Sequence, residues 1–135
     1  MRDIIQQLHD GNLSLVVRSG NNIRTFTKPG VADLLSLLNH EPETLRGALV
    51  ADKMVGKAAA ALLLLGRVGE VYADVISAPA REFLEENLIP VTFREEVPFV
   101  MNRQQNGWCP LEKLAFLEYN PQTIKEKIEE FITKG

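Results

Sequence analysis

Apolar residues recur with a helical period near the start of the chain and again after residue 30. The first stripe predicts a short helix over residues 3–9, and the second predicts a helix that is opened by Pro29 and Gly30. Two extended apolar runs lie between these helices, and the polar turn that joins them predicts an antiparallel hairpin. The strands of the hairpin are predicted at residues 13–17 and 23–27, and a polar loop is predicted at residues 39–44.

The middle of the chain has a different pattern, in which almost continuous apolar runs alternate with helical segments. Such runs are typical of strands that are covered on both faces. Two strand–helix–strand units with right-handed crossovers predict parallel pairing of these strands. The strands are predicted at residues 47–51, 70–76 and 91–93, and the helices at residues 54–65 and 77–86.

The last third of the chain is more polar and is predicted to add two helices. Each helix has a proline at its first turn, and the two begin at Cys109-Pro110 and Asn120-Pro121. Residues 97–101 are predicted as a short extended piece or loop. In the final helix the residues predicted to face inward are Ile124, Ile128, Phe131 and Ile132.

These elements predict an α/β protein with three layers, α/β/α, built on a five-stranded mixed sheet. One antiparallel hairpin and three parallel strands make up that sheet. The chain of 135 residues is predicted to be a single domain, residues 1–135, and it is long enough to bury a core.

Composition narrows the class of protein and its partners. The chain is 45% hydrophobic and 24% charged, as is ordinary for a globular protein, and its net charge of −3 provides no basic surface for nucleic acid. The longest apolar run, residues 58–65, is too short to span a membrane, and the polar start does not resemble a signal peptide. A single cysteine, Cys109, excludes an internal disulfide and fits a reducing compartment. We therefore expect a cytoplasmic protein without nucleic acid or membrane as a partner.

The stretch VADKMVGK at residues 50–57 is the first candidate site, because it joins a predicted parallel strand to the next helix. Ligands of open α/β sheets bind at such places, and helix N-termini favour anions. Lys53 and Lys57 add positive charge, Gly56 permits close approach, and Asp52 could bind a ribose hydroxyl or a cation. Two lysines oppose the helix dipole unless a negative ligand is present, so the pattern favours an anion site.

A purely structural interpretation of the same stretch stays open. Asp52 is also a good N-cap residue, and lysines often mark the exposed end of a buried helix. Gly56 could serve tight packing of the helix on the sheet. The stretch lacks the spacing of a Walker phosphate-binding loop.

Cys109 is the second candidate, since it precedes Pro110 and is predicted as the N-cap of a helix. A thiol at this position has a lowered pKa and is more reactive, and Glu112 could orient it. Nucleophilic catalysis also needs a base, and the two histidines, His9 and His40, offer no obvious pairing with the thiol. The alternative is that Cys109 is a small buried apolar residue.

The chain resembles a small prokaryotic family that is catalogued as a domain of unknown function and has a cytidine deaminase-like fold. The resemblance is carried by GNLS at 11–14, PGV at 29–31, VADKMVGKAAA at 50–60, VYADVIS at 71–77 and CPLEK at 109–113. It implies a deaminase-like fold over nearly the whole chain, and it makes self-association into a homo-oligomer an expectation. It implies no particular activity.

Zinc-dependent deamination is excluded by the motifs themselves. Zinc deaminases hold the metal with H-x-E or C-x-E at one helix start and P-C-x-x-C at the next. The corresponding positions here are KPGV at 28–31 and ADKMV at 51–55, which contain no ligand and no glutamate that could shuttle protons. We therefore predict no metal site and no cofactor.

The first functional hypothesis is a protein that binds a nucleotide or nucleotide sugar in the former deaminase cleft. In this hypothesis Lys53, Lys57 and the helix N-terminus hold the phosphates, and Asp52 holds a ribose hydroxyl. Arg103, on the polar turn before the cysteine helix, closes over the ligand.

Two further hypotheses belong to other classes. A zinc-independent enzyme would use Cys109 as a nucleophile, or Asp52 as a base or covalent acceptor. An oligomeric interaction subunit would bind no small ligand, and the apolar residues 97–101 could provide its contact.

Overall fold

A computed structural model describes residues 1–102 and 104–134, and within them the chain forms five strands and seven helices. The strands are β1 (Leu15–Ser19), β2 (Asn22–Phe26), β3 (Leu49–Val55), β4 (Glu70–Ser77) and β5 (Val91–Val97). The helices are α1 (Arg2–Asp10), α2 (Ala32–His40), α3 (Pro42–Leu45), α4 (Lys57–Leu65), α5 (Ala78–Glu86), α6 (Pro110–Ala115) and α7 (Pro121–Lys134). None of these helices combines the length and the apolar character that crossing a bilayer requires.

All five strands lie in one mixed sheet, in the order β2-β1-β3-β4-β5. β1 is antiparallel to both β2 and β3, whereas β3, β4 and β5 are parallel. α4 connects β3 to β4 and α5 connects β4 to β5, because parallel neighbours need a crossover. The predicted hairpin, the two strand–helix–strand units and the five-stranded mixed sheet are confirmed.

Helices cover both faces of the sheet. On one face, Ile4 and Leu8 of α1 pack against Val16, Ala51 and Tyr72 of three neighbouring strands. On the other face, α4 is buried along its first seven residues, since α2, α5, α6 and α7 surround it. The small alanines of α4 allow these elements to approach closely, and the main core forms around them.

The junction between β3 and α4 differs from the prediction. The predicted helix over residues 54–65 is wrong at its start, because Met54 still pairs with β4 and α4 begins only at Lys57. Gly56 has extended backbone angles, φ −96° and ψ 177°, and is the N-cap of α4. Asp52 is therefore a strand residue, and its predicted role as the N-cap of this helix is wrong.

Two other segments are more regular than predicted. The predicted polar loop at residues 39–44 contains the start of α3, because Pro42 occupies its first turn and Leu45 is fully buried. The strand predicted at residues 91–93 extends to Val97. The second half of this strand is polar, so the apolar pattern in the sequence does not predict it. Its side chains are exposed, and β5 lies at the edge of the sheet.

The inward face of α7 is narrower than predicted. Ile124 and Ile128 are fully buried, as expected. Phe131 and Ile132 are each 43% exposed, so the prediction that they face inward is wrong. Phe131 lines a cleft at the surface instead of the core.

Candidate functional site

A cleft with a volume of about 580 Å³ opens at the end of β3, beside the first turn of α4. It lies where parallel strands end and helices begin, which is where open α/β sheets bind ligands. The larger apolar side chains of its wall are Val31, Met54, Val100, Met101, Leu111 and Phe131. The polar or titratable side chains of its wall are Asp52, Asn102, Gln104, Cys109 and Glu112.

Asp52 is the half-buried acid of this cleft. Its Oδ1 atom accepts a hydrogen bond of 3.3 Å from the N–H of Met54. Burial raises the pKa of Asp52 to about 7, and the neighbouring Asp74 carboxylate acts in the same direction. Near neutral pH this carboxyl group is therefore present in both protonation states and can donate or accept a hydrogen bond.

Glu112 is 1% exposed and connects three backbone segments around the cleft. Its Oε1 atom accepts hydrogen bonds from the N–H of Lys57 at 2.9 Å and from the hydroxyl of Ser77 at 3.2 Å. Its Oε2 atom accepts a bond of 2.7 Å from the N–H of Val100. The N-terminus of α4, where an anion was predicted to bind, thus already has a carboxylate from within the protein.

Gly56 allows this close approach of Glu112 to α4. A Cβ atom at position 56 would lie 3.2 Å from Oε2 of Glu112 and 3.2 Å from a methyl carbon of Val100. Both contacts are tighter than ordinary van der Waals contact. The predicted need for glycine here is explained by a protein carboxylate, and Gly56 also forms part of the cleft wall.

The side chain of Lys57 is buried away from the wall of the cleft. Its Nζ atom donates to the carbonyl oxygen of Phe116 at 2.9 Å and lies 4.5 Å from the centre of the Tyr119 ring. Burial lowers the pKa of Lys57, although the Glu112 carboxylate partly opposes this effect. The structure therefore does not bring Lys57 and Lys53 together on one ligand, as the nucleotide hypothesis required.

Lys53 is exposed and lines a second cavity of about 330 Å³. Asp52 and Met54 belong to the walls of both the cleft and the second cavity, so the two adjoin. The Nζ atom of Lys53 lies 3.5 Å from the side-chain oxygen of Asn12. The predicted contact from Arg103 falls outside the residues that the structure describes.

Cys109 is the N-cap of α6, as predicted, and its thiol lies at the wall of the cleft. Its backbone N–H donates to the carbonyl of Val100 at 2.8 Å, which fixes the start of the helix. Glu112, predicted to orient the thiol, is hydrogen-bonded to other groups, and His9 contacts Asp74 instead. The role of Cys109 as a nucleophile stays a prediction.

A cluster of polar residues on the α1 face of the sheet has no counterpart among the predictions. The Nε2 atom of His9 lies 2.7 Å from Oδ1 of Asp74, and the hydroxyl of Tyr72 donates to the same oxygen at 2.6 Å. Burial acts to raise the pKa of Asp74, but the hydrogen bonds from His9 and Tyr72, together with neighbouring positive charge such as that of Arg94, outweigh burial and lower it. The sequence contains one signal of this cluster, because Tyr72 and Asp74 are two residues apart in one predicted strand and therefore share a face of the sheet.

Potential metal ligands are dispersed in the part of the chain that the structure describes. There, no three side chains of His, Cys, Asp or Glu are grouped so that they could hold a metal ion.

Comparisons with known proteins agree with this architecture and identify the family. The family described as a domain of unknown function, DUF1893, matches residues 3–132. The crystal structure of a DUF1893 family protein from Thermotoga maritima superimposes with a TM-score of 0.88 at 32% identity, covering 96% of this chain and 87% of that chain. The comparison with curated proteins found no match. Neither reported match carries the name of a deaminase, so the deaminase-like fold stays a prediction. The family match and the structural similarity show that the chain belongs to the DUF1893 family.

Proposed function

We propose that this protein binds the uncharged heterocyclic part of a small molecule, a part of the size and polarity of a nucleoside, in the cleft beside β3. The observation that carries the proposal is the carboxyl group of Asp52 in a wall that also contains several large apolar side chains. Ligand sites commonly combine apolar walls with a few polar groups that set orientation, in clefts of roughly 300–1,000 Å³.

The chemistry of Asp52 favours a heterocycle. Because its pKa is about 7, the carboxyl group can present an acceptor oxygen and a donor hydroxyl side by side near neutral pH. The edge of a nucleobase carries a complementary pair of groups, and the apolar side chains of Met54, Val100 and Phe131 suit the faces of a ring.

The cleft itself supports binding of the uncharged part of a nucleotide better than its phosphates. Glu112 occupies the N-terminus of α4 and would repel a second anion there. Lys57 is hydrogen-bonded to Phe116 and would have to leave this site to reach a phosphate. For these reasons the part of the ligand that occupies the cleft is proposed as uncharged.

The test is isothermal titration of the purified protein with the four ribonucleosides and their free bases. We expect Asp52→Ala to weaken binding of the preferred compound about tenfold, because the donor and the acceptor of the carboxyl group are both lost. Asp10→Ala, on the exposed end of α1, is the matched control and should bind as the wild type does. Equal affinity of the Asp52→Ala variant and the wild type would contradict the proposal.

A further inference from the structure

The second cavity is lined by three cationic residues, Lys28, Lys53 and Arg94, and by three aspartates, Asp33, Asp52 and Asp74. All three cationic residues are exposed, and within residues 1–102 and 104–134 no ion pair of 4.0 Å or less joins them to a carboxylate. Because no carboxylate is paired with these cations at this distance, they can bind an anion that enters the cavity. The cavity therefore differs from the cleft beside it, whose wall contains no lysine or arginine among the described residues.

The register of the sheet places one of these cations on each side of a carboxylate. Ala73 of β4 is level with its partners on β3 and β5. The next residues on the three strands, Lys53, Asp74 and Arg94, are therefore level too and share a face. Since adjacent strands are about 4.8 Å apart, Asp74 stands between the two cations.

Asp74 is held so that only one of its oxygens is engaged by the protein. His9 and Tyr72 both contact Oδ1, while Oδ2 has no hydrogen-bond partner among the described residues. Asp74 also lines the second cavity, so Oδ2 is available to a donor there. The cavity thus offers three cationic groups and one fixed acceptor, beside the carboxyl groups of Asp33 and Asp52.

We propose that the second cavity binds the phosphate of the same ligand whose ring occupies the cleft, which makes the ligand a nucleoside monophosphate. This inference rests on the proposed function, because the ring of the ligand is placed by that function. Arg94 binds the phosphate through its planar donors, Lys28 and Lys53 neutralise its charge, and Oδ2 of Asp74 accepts a hydrogen bond from a sugar hydroxyl.

The two binding regions are close enough for one molecule. They share four wall residues, Pro29, Gly30, Asp52 and Met54, so the two regions adjoin each other. Asp52 is also the only one of the shared residues that can carry charge. With a pKa of about 7 it is partly protonated near neutral pH, which lowers its repulsion of a phosphate.

The experiment compares inorganic phosphate, the four ribonucleosides and their 5′-monophosphates by isothermal titration at low salt. We expect a monophosphate to bind more tightly than its nucleoside, and Arg94→Gln and Lys28→Gln each to weaken the monophosphate about tenfold. Neither substitution should change the affinity of the nucleoside. Lys113→Gln, an exposed lysine outside both cavities, is the matched control.

The outcomes separate this inference from the proposed function. If monophosphates bind no more tightly than nucleosides, or if Arg94→Gln and Lys28→Gln lose no more affinity than Lys113→Gln, the phosphate site is overturned. If inorganic phosphate binds in a way that depends on Arg94 while nucleosides do not bind, the cleft proposal fails and the anion site stands, without the shared ligand. All three substitutions are at exposed positions, so their melting temperatures should match that of the wild type.

Discussion

Asp52 and Asp74 lie on adjacent strands, and their surroundings shift their pKa values in opposite directions. Burial dominates at Asp52 and raises its pKa to about 7. At Asp74, two hydrogen bonds to one oxygen, together with neighbouring positive charge such as that of Arg94, outweigh burial and lower the pKa. Because each carboxylate disfavours a charge on the other, the ionised Asp74 helps to keep Asp52 protonated. The two acids are thus suited to different tasks, one to hydrogen bonding in either protonation state and the other to a fixed charge.

The raised pKa of Asp52 has a consequence for the free energy of unfolding. Its pKa in the folded protein, about 7, is above the ordinary value of 3.8, so the folded state binds the extra proton between these values and loses stability as pH rises. We expect Asp52→Asn to remove this loss of stability at high pH. At pH 8 the variant should be more stable than the wild type by about 1–2 kcal/mol, a difference that is limited because the group is partly exposed.

Urea unfolding at pH 4 and pH 8 measures this difference. Near pH 4 the wild-type carboxyl group is protonated in the folded protein, and the two proteins should have similar stability. A stability difference that is the same at both pH values would contradict the assigned titration of Asp52.

At the scale of elements, Glu112 joins α6 to the start of α4, to the end of β4 and to the segment that contains Val100. The partners are far apart in sequence, since Lys57 and Glu112 are separated by 55 positions. A carboxylate with three donors is well satisfied although it is buried, and removing one oxygen leaves a donor without an acceptor.

We expect Glu112→Gln to destabilise the protein by about 1–3 kcal/mol, because the amide nitrogen faces a backbone or hydroxyl donor instead of accepting from it. The free energy of unfolding in urea is the measurement. Glu130→Gln removes a carboxylate from an exposed pair with Lys134, and this control should change stability by less than about 1 kcal/mol. A Glu112→Gln variant as stable as this control would show that the three bonds contribute little.

The order and type of the main elements could be predicted from the sequence, because periodicity and proline or glycine positions are local signals. The end of β3 could not, since Met54 suits a strand or a helix and only its pairing with β4 decides between them. The candidate cleft was located through Asp52 and Gly56. The buried position of Lys57, the contacts of Glu112 and the partner of Asp74 were not predictable, because each depends on residues distant in the chain.

At the scale of the whole molecule, one apolar cluster connects both halves of the chain. Residues from β1, α2, α4, β4, α5 and α7 all contribute to it. For this reason we propose that residues 1–135 act as one domain, and we expect a single unfolding transition. Trp108, which stacks on Phe99 with ring centres 4.5 Å apart, reports locally on the segment beside the cleft.

Thermal melting followed by circular dichroism and by Trp108 fluorescence should give coincident curves if the chain unfolds in one step. A fluorescence transition several degrees below the circular dichroism transition would show that the segment around α6 unfolds separately.

β5 is seven residues long and forms one border of the sheet, and among the described residues it pairs with no strand other than β4, which leaves the backbone groups of its outer side unpaired with a strand. Such a border can recruit a strand from another molecule and begin aggregation. The run Arg94-Glu95-Glu96 places one positive and two negative charges on this border, which discourages the addition of a strand from a second copy. Ordered self-association, as the family resemblance leads us to expect, would therefore be favoured at another surface of the molecule.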